Sequence, residues 1–197
     1  MKRVAVTGGI GSGKSCAVEY IKELGYPCFS CDEIYKEIAA TAEYQKELRK
    51  IFPTAFDGDS LNKGKLSEII FLNEDARKVL NSLSHPLIMK TLFEKMDSSK
   101  GALSFAEVPL LFEGGFQLSF DYVLVITRPL SQRINSIMIR DHISEEAAIL
   151  KIQSQFNYEA PSSKYVIEQC NGIIINNDTN QTALRAKINH TISQLQI

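Results

Sequence analysis

The chain has no surplus of charge of either sign: 22 lysines and arginines face 23 aspartates and glutamates, a formal net charge of -1. Proteins that hold nucleic acid by general electrostatics carry a basic excess, so that class is excluded and any phosphate binding has to be local. No apolar run approaches the roughly 20 residues that cross a bilayer. The opening stretch, Met1-Lys2-Arg3-Val4-Ala5-Val6-Thr7, runs straight into glycines and lacks the apolar core and cleavage site of a secretory signal. Cysteine is scarce as well. Four of them without framework spacing fit a reducing compartment, and the expected location is cytoplasmic. Cys28-Phe29-Ser30-Cys31 does spell C-x-x-C, but neither a second pair nor a nearby histidine accompanies it, so it reads as two small semi-buried strand residues. The three histidines have no carboxylate or cysteine at metal-ligand spacing, which argues against a metal site built from side chains alone. Internal repeats and low-complexity segments are lacking too.

With 197 residues, 44% of them hydrophobic, the chain can bury a sizeable core and is expected to be one domain, 1–197, with insertions. Val4-Ala5-Val6 reads as a strand, Gly8 to Gly13 as a glycine-rich turn, and Lys14 to Leu24 as a helix with Ala17, Val18, Ile21 and Leu24 at helical spacing. Further strands are expected at Pro27 to Ser30, Ala102 to Val108, Tyr122 to Thr127 and Gly172 to Asn176. Strands alternating with helices predict an α/β fold with a five-stranded parallel sheet covered on both faces. The mainly helical stretch 32–100 is too long for an ordinary crossover and is expected to be a binding lobe. Pro129 to Arg140 and Ser144 to Phe156 read as two helices placed to act as a lid, region 129–156. Thr182 to Leu195 closes the chain as a helix. His85-Pro86 reads as a helix opening, because proline suits the first helical position.

Gly8-Gly9-Ile10-Gly11-Ser12-Gly13-Lys14-Ser15 matches G-x-x-x-x-G-K-[ST] between a strand and a helix, the context that this motif requires. Its glycines let backbone N–H groups converge on phosphate oxygens, and the helix start adds its positive dipole end. Lys14 is then expected on the β- and γ-phosphates and Ser15 on Mg²⁺. Asp32 directly follows the second strand, at the sheet edge where ligands bind. Two roles suit it equally: accepting a proton from an acceptor hydroxyl, or capping the helix that follows. Arg133 and Arg140 lie where a lid could bring guanidinium groups onto a phosphoryl group, or they belong to a solvated face. Glu107 either holds a magnesium-bound water or ends its strand.

The P-loop, the strand ending in Asp32, His85-Pro86-Leu87-Ile88, Val108-Pro109-Leu110-Leu111-Phe112-Glu113, Arg133 with Arg140-Asp141, Gln155 and Ile175-Asn176 together resemble the dephospho-CoA kinase family. The resemblance runs from Val4 to the last helix, and the Pro-Leu-Leu-Phe-Glu and His-Pro elements are more specific than the P-loop. It implies a P-loop NTPase three-layer fold with a helical lobe for the coenzyme A precursor and a helical lid. The implied reaction moves the γ-phosphoryl group of ATP, with Mg²⁺, to the 3′-hydroxyl of dephospho-CoA. Implied roles are catalysis for Asp32 as base, Lys14 and Arg140; ATP binding for Gly9, Gly11, Ser12, Gly13, Lys14, Ser15, Cys16 and Asn176; and substrate binding for Asp32, Lys63, His85 and Glu113. Implied too are a monomer or weak homo-oligomer and no nucleic-acid or membrane partner. Three positions depart from the family pattern: Ser30-Cys31-Asp32 where Asp-x-Asp is common, Leu61-Asn62-Lys63 where Leu-Asp-Arg is common, and Cys16 where threonine often stands. Lysine keeps a cation at position 63 but not the bidentate fork of arginine. Another small-molecule kinase would explain the P-loop and the arginines, though not the Pro-Leu-Leu-Phe-Glu segment. A GTPase switch would need Asn-Lys-x-Asp late in the chain, and Asn62-Lys63-Gly64-Lys65 is early and lacks the aspartate.

Overall fold

A computed structural model of the chain describes residues 1–195. In chain order the elements are β1 (Lys2–Thr7), α1 (Lys14–Glu23), β2 (Cys28–Ser30), α2 (Cys31–Ala39), α3 (Ala42–Ile51), β3 (Phe56–Asp57), β4 (Ser60–Leu61), α4 (Lys63–Leu72) and α5 (Glu74–Ser98). There follow β5 (Leu103–Glu107), β6 (Tyr122–Thr127), α6 (Leu130–Asp141), α7 (Glu145–Gln153), α8 (Pro161–Gln169), β7 (Gly172–Asn176) and α9 (Gln181–Leu195). The chain divides into two compact units, one made of Met1–Ser30 with the residues from Met96 onward, the other of Cys31–Lys95.

The first unit is built on a sheet that, among the described residues, has five strands in the order β2-β5-β1-β6-β7, every neighbouring pair parallel. A parallel sheet has to be covered on both faces, and the alternation of its residues shows that it is. Val4, Val6, Leu103, Phe105, Leu124, Ile126 and Ile175 share one core with Ala17, Val18 and Ile21 of α1 and Leu184, Ile188, Ile192 and Leu195 of α9. Ala5, Ala106, Val123 and Val125, which alternate with them and face the other way, are fully buried too. The result is the three-layer α/β fold expected. In register, Val6 pairs with Glu107 and Glu107 with Ser30, so these three residues lie level at the carboxyl edge of the sheet. That edge is where parallel sheets bind ligands.

The second unit has its own core of Tyr44, Leu48, Phe52, Ala55, Leu66 and Leu80. Its helices are punctuated locally: the Thr41 hydroxyl accepts from Tyr44 N–H to open α3, and the Asn62 side chain accepts from Lys65 N–H to open α4. Between them β3 and β4 form a short antiparallel hairpin, turned at Gly58 with φ 57°.

Three expectations change. Pro86 does not open a helix; it lies inside α5, which runs unbroken from Glu74 to Ser98. A proline inside a helix removes the hydrogen bond to the carbonyl four residues back. Here that carbonyl is on Ser82, and both Ser82 and Pro86 are exposed, so water can serve the freed group. The second change is at Cys31, which is buried in the first turn of α2 rather than in the strand that holds Cys28; both are free thiols. The third concerns Asp32. Because α2 starts at Cys31, Asp32 stands inside the first helical turn and is not the residue that caps it.

Candidate active site

The loop after β1 turns back on itself, with Ser12 N–H bonded to the Gly9 carbonyl at 3.1 Å, and hands over to α1 at Gly13. Gly13 has φ 93°, a left-handed conformation, and a Cβ there would also collide with the Asn177 side chain. A phosphate nest needs its N–H groups to converge, which leaves the carbonyls of the same peptides pointing away and in need of donors. Side chains supply them. Lys14 Nζ donates to the carbonyls of Gly8 (2.6 Å) and Gly9 (3.1 Å), Arg133 Nε to that of Ile10 (3.0 Å), and Asn177 Nδ2 to that of Ser12 (2.9 Å). Among the described residues the buried Ser12 hydroxyl has no hydrogen-bond partner, an orphan that a ligand oxygen would satisfy.

Burial pulls the Lys14 ammonium down to about 8; the Glu107 carboxylate opposes the shift and the Arg133 guanidinium adds to it. Anionic phosphate is the partner that would raise its pKa again. Ser15 Oγ donates to Glu107 Oε1 at 3.1 Å, bringing a hydroxyl and a carboxylate together at the edge of the loop. This is a hard-oxygen donor set of the kind that holds Mg²⁺ alongside phosphate. Below the loop, Tyr158 OH and Thr7 Oγ1 lie 3.2 Å apart. Burial pushes the Tyr158 phenol up to about 12, so it stays neutral. Phe112 stacks on Phe156 at 4.5 Å, and Tyr158 meets both rings edge-on at 5.8 and 5.0 Å. Glu113, next to Phe112, accepts from Phe156 N–H at 2.7 Å.

The structure brings Gly9, Gly11, Ser12, Gly13, Lys14, Ser15, Glu107 and Arg133 into one place. Arg133 is 6% exposed, which rules out the solvated-face reading for it. Arg140 is different. It is exposed near the end of α6, with Nε and a terminal nitrogen bonded to the two oxygens of Asp141 (2.7 and 3.1 Å), while Lys151 of α7 bonds the same carboxylate at 2.7 Å. Those two cations hold the Asp141 carboxyl well below the usual range. Cys16 is exposed on α1. Asn176 Oδ1 accepts from Thr127 Oγ1 at 2.6 Å at the ends of β7 and β6. Asn177, the next residue, is the one that reaches the loop. Sequence reasoning missed it, as it missed Tyr158, because neither is local to the motif; adjacency to Asn176 was the available hint.

In the second unit Asp32 is exposed in the first turn of α2, and among the described residues no hydrogen bond or ion pair engages its carboxylate. Lys63 opens α4 and, with Lys36, Ala39, Ala40, Gln45, Asp59, Ser60 and Leu61, lines a cleft of about 340 Å³. His85 lies within α5, where burial lowers its pKa. Among the described residues no cluster of His, Cys, Asp and Glu suits a metal by itself, and no helix is long and apolar enough to cross a membrane.

Residues 2–190 match the family described as Dephospho-CoA kinase. The chain belongs to the dephospho-CoA kinase family. A dephospho-CoA kinase of Coxiella burnetii is 36% identical over 159 residues, 79% of this chain and 80% of that one. Among solved structures, a Thermus thermophilus protein superposes with a TM-score of 0.82 at 25% identity, over 98% of this chain and 97% of its own. The dephospho-CoA kinase of Campylobacter jejuni gives a TM-score of 0.68 at 29% identity, over 98% and 96%.

Proposed function

We propose that the chain transfers the γ-phosphoryl group of ATP to the 3′-hydroxyl of dephospho-CoA, giving coenzyme A and ADP. The observation that carries this reading is the family match over residues 2–190, which takes in both units. In this reading the loop N–H groups and the α1 N-terminus bind the phosphates of ATP, with Lys14 on the β- and γ-oxygens. Ser15 and Glu107 would hold Mg²⁺, which would offset the negative charge of the phosphates. Asp32 takes the proton of the acceptor hydroxyl as its oxygen bonds to the γ-phosphorus and the bond to the β-phosphate oxygen breaks, releasing ADP. Arg140 serves the transferring group once its fork leaves Asp141. Asn176 lies toward the adenine side, Cys16 on the nucleotide side of α1, and His85 and Glu113 on the acceptor side.

For the rest of the acceptor the cleft beside Lys63 is suited. Asp32, Lys36 and Ala39 recur at helical spacing along one stripe of α2, with Ala40 just past its end, so the cleft begins about 6 Å along the helix from the proposed base. Lys65, Lys78 and Lys95 are paired with Asp57, Glu74 and Glu37, whereas among the described residues no ion pair engages Lys36 or Lys63. Two unspent ammonium groups suit the diphosphate of dephospho-CoA. The same reading makes the enzyme cytoplasmic and a monomer or weak homo-oligomer. A coupled ADP-release assay with Mg-ATP and a panel of dephospho-CoA, adenosine and nucleoside monophosphates tests it. Turnover with dephospho-CoA alone is expected, and preference for any other acceptor overturns the assignment.

A further inference from the structure

Ile10 of the P-loop has both of its backbone polar groups taken by side chains from distant elements. Its N–H donates to Gln155 Oε1 at 2.7 Å, and its carbonyl accepts from Arg133 Nε at 3.0 Å. The two side chains bracket one helical pair: Arg133 lies in α6, and Gln155 follows the end of α7 at Gln153. Arg133 is also wedged. A Cβ on Gly9 would collide with its guanidinium, and a Cβ on Gly11 would stand 2.9 Å from its backbone carbonyl oxygen. Glu159 places a carboxylate 3.7 Å from the guanidinium on the other side. A guanidinium enclosed in this way and spent on a loop carbonyl is not waiting for substrate. An N–H held by Gln155 is likewise withheld from phosphate, so the grip on Ile10 decides which neighbouring N–H groups turn toward a ligand.

We propose that Gln155 and Arg133 are positioning residues that set the shape of the phosphate nest through the two peptide units flanking Ile10. The affinity of the loop for nucleotide then depends on where the α6–α7 pair sits. Because the two bonds fall on the successive peptide units that flank the Ile10 Cα, displacing the pair rotates those units and misaligns the adjoining amides of the loop. By linkage, nucleotide held in the nest favours the docked position of the pair. The inference rests on the reading of this loop as a nucleotide site, not on the identity of the acceptor.

The test is calorimetric titration of Mg-ADP into the full chain and into Gln155→Met, Arg133→Met and the double variant, with kinetics alongside. Each single change is expected to weaken ADP about tenfold, the scale of one lost hydrogen bond to a confined group. The double variant should lose clearly less than the product of the two, since both side chains act on one residue, Ile10. KM for ATP should rise with the ADP dissociation constant while KM for the acceptor stays put; a general loosening of the fold would move both, together with the thermal transition. If Arg133→Met fails to fold, Arg133→Lys, which keeps the charge without the Nε geometry, replaces it in the cycle. Unchanged ADP affinity in Gln155→Met, or effects that multiply independently, overturns the proposal. A parent chain that binds no Mg-ADP removes the nucleotide reading beneath it, a distinguishable failure.

Discussion

Lys14 answers to two opposed requirements: phosphate wants its ammonium charged, yet its half-buried place beside the loop carbonyls pulls its pKa down to about 8. Bound phosphates add negative charge beside it and raise that pKa again. Above about pH 8 the free protein therefore holds less than a full proton on Lys14 and the complex holds one, so Mg-ADP binding should take up a proton; below pH 7 both states are protonated and uptake should vanish. Titrations at pH 9 in two buffers of different ionisation enthalpy check this, and equal heats there would show that Lys14 does not change charge. Asp32 poses a different question. Its carboxylate stands in the first turn of α2 beside Glu33, not at the cap, so Asp32→Asn forfeits only a helix-dipole contribution of about 0.3–1 kcal/mol. If Asp32 is the base, the same change should lower kcat by about 10²- to 10⁴-fold while Mg-ADP still binds. Near-normal turnover would sink the base assignment, and loss of nucleotide binding would turn Asp32 into a metal-holding residue.

Among the elements, those with local punctuation were legible in the sequence. Val4-Ala5-Val6 followed by glycines and Lys14-Ser15 predicts β1, the loop and α1 because strand period, turn residues and helix start are contiguous. Leu184, Ile188 and Leu195 did the same for α9. The helix α8 was not legible: its buried residues are Ser163 and Ile167, so half of its inward face carries no hydrophobic signal, and Pro161-Ser162-Ser163 reads as loop. The β3–β4 hairpin has two residues per strand, too few to show a period. At the site the motif was visible, and Arg133 and Gln155 were singled out, but the contacts they make were not, nor was Asn177 as a support, since Asn177 lies 165 residues from Ser12 and Gln155 lies 145 from Ile10. Pro86 misled because proline is a common start signal, and only the exposure of Ser82 explains its tolerance inside α5. That account carries a prediction. Pro86→Ala restores a helical N–H donor to the Ser82 carbonyl and should stabilise the chain by about 1 to 3 kcal/mol in urea unfolding. A loss of stability would mean that the proline ring makes packing contacts worth more than the bond.

On the scale of the whole molecule, the chain leaves its first unit after Ser30 and returns at Met96, and the residues proposed for the two substrates divide along that line except for Glu113, a first-unit residue proposed on the acceptor side. The residues proposed for the nucleotide, Gly8–Ser15 and Glu107, with the positioning residue Arg133, are all in the first unit; Lys36 and Lys63, proposed for the acceptor diphosphate, are in the second. Variants should therefore sort by substrate. Lys36→Met combined with Lys63→Met removes two ammonium groups from an exposed cleft, where screening reduces each contact to the low end of a charged hydrogen bond. A rise in KM for dephospho-CoA of roughly tenfold or more is expected, with Mg-ADP affinity unchanged and a weaker dependence of KM on salt. Lys63→Arg should act in the opposite sense, because a guanidinium offers a planar fork to two phosphate oxygens where lysine offers a point charge. It should lower KM for dephospho-CoA while leaving Mg-ADP affinity unchanged. If the double methionine variant keeps the parental KM, the cleft does not hold the diphosphate, and the acceptor has to be anchored by other groups of the second unit. If nucleotide affinity falls with it, the division of the substrates between the units is wrong.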